Sequence, residues 1–129
     1  MNQPATQPVK SLYERLGGAA AVNAAVDIFY RKVLSDDRVS PFFDNVDMDA
    51  QIAKQKGFLT MAFGGPNKYT GLDMRTGHKR LVARGLNDSH VDAIVELLGA
   101  TLKELGVADA DIAEVAAIAN SVRDDVLNR

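Results

Sequence analysis

His78 is the residue whose setting most invites chemistry. Met74, His78, Leu81 and Val82 recur at i, i+4, i+7 and i+8, one stripe of a helix, so the imidazole points inward. Gly77 beside it leaves room for something bulky. An inward histidine is either a core residue satisfied by its neighbours or a metal ligand. The chain has one other histidine, His90, and no cysteine, which makes a poor zinc site. A porphyrin iron, by contrast, needs a single protein nitrogen.

Other polar residues break the helical pattern in the same way. Around a helix with about 100° per residue, Met48, Ile52, Phe58, Leu59, Ala62 and Phe63 form one apolar stripe. Gln51 and Gln55 fall inside it and Lys54 stands at its edge. An inward amide needs partners, either backbone and water or a polar cluster facing a pocket. Tyr30 shares the apolar face of Val22, Val26, Phe29, Val33 and Leu34. Its hydroxyl is then bonded to a carbonyl or aimed at a ligand.

The elements that must position these side chains all read as helices. Ser11 and Glu14 form a capping box for a short helix that Gly17-Gly18 stops. A long helix follows over 19–34. Asp36 caps a brief one reaching Phe42-Phe43, limited by Pro41. Asp47 caps a helix over 48–63, ended by Gly64-Gly65-Pro66. After a loop to about residue 71 come a helix over 73–83, one capped by Asn87 that runs to Leu105, and a last one over 109–126. No segment alternates as a strand does, so the class is all-α.

Bulk composition narrows the function classes. The 129 residues suggest one domain over 11–129, preceded by a disordered tail over 1–10. The net charge of −2 gives no reason to expect nucleic acid or an anionic membrane as partner. The polar start is no signal peptide, and cytoplasmic is the expected location. Phosphate-loop and Gly-x-Ser-x-Gly spacings are missing.

The order and spacing of the motifs resemble the group I truncated haemoglobins over residues 11–129. Those motifs are Ser11-Leu12-Tyr13-Glu14-Arg15-Leu16-Gly17-Gly18, Phe29-Tyr30, Pro41-Phe42-Phe43, Gln51 to Gln55 with Phe58, Ala62-Phe63-Gly64-Gly65, and Met74 with His78. The resemblance implies a two-over-two helical sandwich around a non-covalent haem b. It makes His78 the proximal iron ligand, places Phe42 and Phe43 on the porphyrin, and makes Tyr30 the distal tyrosine. Gln51, Lys54 and Gln55 would lie over the open iron face, with Phe58 and Leu59 on the tunnel by which gases enter. Met74 joins the cofactor-binding set, and Lys68, Tyr69, Arg75 and Lys79 are candidates for the propionates.

Two departures from the family matter. Lys54 stands where some cyanobacterial relatives carry a distal histidine. It has two readings: its stem covers the haem edge while its ammonium reaches water or a propionate, or, deprotonated, it is a second iron ligand. Residues 116–129 contain no histidine, so the vinyl cross-link of some relatives cannot form. The implied ligands are O2, NO and CO. Nitric oxide dioxygenation to nitrate, with a partner reductase restoring iron(II), is the leading functional expectation for a monomer. An oxygen carrier or store is the near alternative; a gas sensor or a haem-free helical adaptor is the distant one.

Overall fold

The structure, a computed structural model, describes residues 11–43, 47–65 and 71–129. The expected tail and the 66–70 loop, with Lys68 and Tyr69, lie outside the described residues. Helix α1 spans Leu12–Leu16, α2 Gly18–Leu34, α3 Met48–Ala62, α4 Gly71–Ala83, α5 Asp88–Glu104, α6 Asp109–Ser121 and α7 Arg123–Val126. A 3-10 turn, Ser40–Phe43, links α2 to α3. Among the described residues there is no strand.

The helix ends follow from local chemistry. The Ser11 hydroxyl accepts from the Glu14 N–H at 3.2 Å, and the Asp47 carboxylate from Ala50 N–H at 3.0 Å, each satisfying an orphan donor of a first turn. At α5 the cap is reciprocal: Asn87 accepts from Ser89 N–H at 2.9 Å, while His90 Nδ1 accepts from the Asn87 N–H at 3.0 Å. Gly17 stands at φ 113, open only to glycine, and lets the chain reverse between α1 and α2. Gly65 serves by its size, because a β-carbon there would collide with the Tyr13 ring of α1.

Two expectations are corrected. Asp36 caps no helix; its carboxylate takes the Arg38 N–H at 2.9 Å and the Arg38 guanidinium, so only the turn at Ser40–Phe43 forms. That guanidinium holds the Asp36 carboxyl down at about 2. The last helix is not continuous, because it breaks at Val122.

Helices α2 and α3 pack as one pair, α5 and α6 as another, and the pairs meet through α2 on α5 and α3 on α6. That is the expected two-over-two sandwich. Its core is Val26, Phe29, Val33, Leu59, Phe63, Leu98, Leu102 and Val115, all fully buried. Thr101 is buried with them, its hydroxyl donating to the Leu97 carbonyl at 2.8 Å. Helix α4 is different. Among the described residues it packs on α7, with no more than marginal contact with α2, α3 or α5.

Candidate cofactor site

The site is built from α2, the 3-10 turn and α3 on one side and α4 on the other. On α4 the His78 Nδ1 lies 2.8 Å from the Met74 carbonyl oxygen. A carbonyl only accepts, so Nδ1 carries the hydrogen and Nε2 keeps its lone pair for a metal. Burial lowers the proton affinity of this imidazole below its ordinary value of 6.5. The Met74 hydrogen bond opposes that shift and the Lys54 charge adds to it. Both effects of burial and charge favour the neutral form, the one that binds metal. The influence of Lys54 also shows that its exposed side chain on α3 lies within electrostatic reach of His78 on α4.

On the facing side Tyr30 is buried, its ring edge-on to Phe43 with centroids 6.2 Å apart. Phe58 lies on Phe29, centroids 6.5 Å apart and planes 30° from parallel. Gln55 is 7% exposed, and its Oε1 is buried without a hydrogen-bond partner among the described residues. A buried amide end left unpaired costs about 1–3 kcal/mol. Amide oxygen and nitrogen are exchangeable by a flip, so this end can present either a donor or an acceptor to a bound molecule. Gln51, one turn earlier, is only half-buried.

These observations fit haem. One imidazole nitrogen is left free to take a metal, Tyr30 and Phe43 form an aromatic pair next to α3, and Gln55 on α3 has a buried amide oxygen with no partner among the described residues. Other candidates sit less directly. The Phe42 ring is packed edge-on to His90 at 4.9 Å, under the Arg84 guanidinium at 5.6 Å. Lys79 is exposed. Met74 is buried and supplies the carbonyl that orients His78. Arg75 is already engaged, pairing with Asp125 at 2.9 Å and donating to the Arg129 carbonyl at 3.0 Å. A separate apolar cavity of about 160 Å³, bounded by Leu16, Ala24, Phe63, Leu102 and Leu105, involves no candidate site residue.

Sequence reasoning missed the part of Asp125 and Asn128 on α4 and of His90 and Arg84 on Phe42. The Asn87-x-x-His90 spacing could have flagged the reciprocal cap. The α7 contacts left no local signal.

A two-over-two sandwich with a histidine prepared on an outlying helix defines a globin. The chain belongs to the bacterial-like globin family, whose profile matches residues 11–128, and within it to the group 1 truncated haemoglobins. It is 56% identical over 124 residues to a group 1 truncated haemoglobin of Synechocystis, covering 94% of this chain and 100% of that protein. It is 50% identical over its full length to the one of Tetrahymena pyriformis, which it also covers fully. Among solved structures, the 2/2 haemoglobin of Synechococcus, with covalently attached haem, superposes at a TM-score of 0.84 with 53% identity over 93% of this chain and 100% of that one. The Fe(III) Tetrahymena pyriformis protein superposes at 0.81 with 52% identity, over 92% and 98%. That protein has also been solved with a tyrosine and two glutamines replaced one at a time. The three are spaced along it as Tyr30, Gln51 and Gln55 are here. As a globin, the chain binds ligands at haem. Among the described residues no helix is long and apolar enough to cross a membrane.

Proposed function

We propose that the chain holds haem b non-covalently through Nε2 of His78, takes O2, NO and CO as ligands, and converts nitric oxide to nitrate. The carrying observation is the buried Gln55 amide with an unpartnered Oε1, a polar group for which a small polar guest is the natural complement. Haem supplies an iron that takes diatomic gases reversibly. Tyr30, Gln55 and the half-buried Gln51 orient such a guest and hydrogen-bond it as charge builds on it. Phe43 and Phe58 line the wall and limit water. Lys54 would cover the cofactor edge or serve as a second ligand to its iron. Lys79 is available for a propionate. Nitrate formation balances as NO + O2 + e⁻ → NO3⁻, the electron coming from a partner reductase. The large apolar side chains exposed among the described residues are Leu34 at 41% and Leu105 at 39%, which supports a monomer over an adaptor with a wide apolar patch.

The test is to mix the reduced holoprotein with O2 and NO and count nitrate against ferric haem formed. With an electron donor added to re-reduce the haem, many nitrates per haem support the reading, and one or none leaves a reversible gas store. Tyr30→Phe separates binding from turnover. Losing a hydrogen bond to a charge-bearing guest is worth about 1.5–3 kcal/mol, so oxygen release should quicken about ten- to a hundredfold. An unchanged release rate removes Tyr30 from the role.

A further inference from the structure

Helix α4 carries His78 yet buries only Met74 among its described side chains. What holds it is the last turn of the chain. Arg75 Nε meets Asp125 Oδ1 at 2.9 Å, and Arg75 Nη2 donates to the Arg129 carbonyl at 3.0 Å. In return the Asn128 side-chain amide donates to the Arg75 carbonyl at 3.0 Å. Asn128 stands at φ 58, the positive-φ non-glycine residue among those described. Asparagine tolerates that region better than most residues, and its backbone there is what turns the amide onto α4.

Helix α7 is itself tied down. Arg123 reaches Asp88 at 3.0 Å and Asp92 at 2.6 Å, both on α5, and Arg129 meets Asp88 at 2.6 Å. Leu127 is buried between these ties. The Asn128 tie ends at a carbonyl of α4 next to the one that orients His78. The Arg75 carbonyl takes the Asn128 amide, and the adjacent Met74 carbonyl takes the His78 Nδ1 hydrogen. Arg75 and His78 lie three residues apart, neighbours on the helix surface.

We propose that Asp125 and Asn128 are positioning residues for the proximal histidine. They act through Arg75 and the Met74–Arg75 backbone to fix the rotation and height of the His78 imidazole. Arg75 belongs to this clamp and not to the propionate site. The proposal rests on His78 being the haem ligand.

The holoprotein is compared with Asp125→Ala and Asn128→Gly; the glycine keeps the left-handed backbone and removes only the amide. The iron–histidine stretching band of the reduced, ligand-free protein is recorded by resonance Raman, and haem loss by transfer to excess apomyoglobin. Both variants should shift the band. Asp125→Ala should lose haem about two- to fivefold faster, the change an exposed ion pair supplies, and Asp125→Glu should restore the band. Arg38→Ala is the control. It breaks exposed pairs to Asp36 and Glu96, 2.6 Å each, away from α4, and should leave the band in place.

An unmoved band in either clamp variant overturns that residue's part. Equal movement in Arg38→Ala overturns the clamp in favour of general loosening. Faster haem loss in Arg75→Ala with none in Asp125→Ala returns Arg75 to the propionates. The two failures are distinguishable, because a native haem spectrum retained by His78→Ala would sink the ligand assignment itself.

Discussion

Helices α2 and α4 are held in opposite ways. Helix α2 buries Val22, Ala25, Val26, Phe29, Tyr30 and Val33 and is wedged against both α3 and α5. Helix α4 buries Met74 and leans on α7 through polar contacts. Each valine and Phe29 buried on α2 contributes about 1.5–3 kcal/mol, whereas exposed pairs of the kind on α4 contribute less than about 1 kcal/mol each. Among the described residues the sandwich is closed by apolar packing, while the helix bearing His78 is held chiefly by polar contacts with the last turn of the chain.

The largest expected effect sets the two helices side by side. Phe29→Ala should cost about 3–5 kcal/mol in the haem-free protein. His78→Ala should change the haem-free protein by less than about 1 kcal/mol, yet abolish stable haem binding. Thermal unfolding of both apo-variants checks this; equal losses would make α4 a true member of the core. A smaller effect sharpens how tightly the sandwich side is packed. Gly65→Ala drives a methyl into the Tyr13 ring and should cost about 1–3 kcal/mol. A neutral result in chemical denaturation would mean that α1 can slide.

The smallest effect is pH-dependent and belongs to α4. Hydrogen bonds from Arg129 and then Arg123 hold the Asp88 carboxyl below its ordinary 3.8. Its folded value lies below the unfolded one, so its contribution is full above the ordinary value and fades as pH falls through the folded value. As pH falls below about 4, amide exchange should then release α7 and α4 before α2. Simultaneous loss of protection would erase the distinction between the helices.

Legibility in the sequence follows the same divide. Helices α2, α3 and α5 were readable to within a residue or so, because α3 and α5 start on capping side chains and the apolar faces of all three repeat. The inward His78 and the buried Gln55 were visible as polar residues inside apolar stripes. Gln51 shared the stripe but is only half-buried, because helical periodicity does not say how far a neighbour reaches over it. The break at Val122 carries no proline or glycine. It coincides with Arg123 turning onto Asp88 and Asp92, contacts across more than thirty positions that no local pattern encodes. Arg75 read as a free cation for the same reason, since its partner Asp125 lies fifty positions away.

The Met74 carbonyl has a consequence for reactivity. A carboxylate in its place could draw the Nδ1 proton toward itself and give the imidazole anionic character, making it a strong electron donor to a metal on Nε2. A backbone carbonyl is neutral and cannot take the proton, and at 2.8 Å it fixes the ring without charging it. Any iron at Nε2 therefore meets an ordinary neutral imidazole. With no negative charge behind it, Nε2 would donate to a bound iron only as a neutral nitrogen, the weaker of the two pushes that the His78 side could supply.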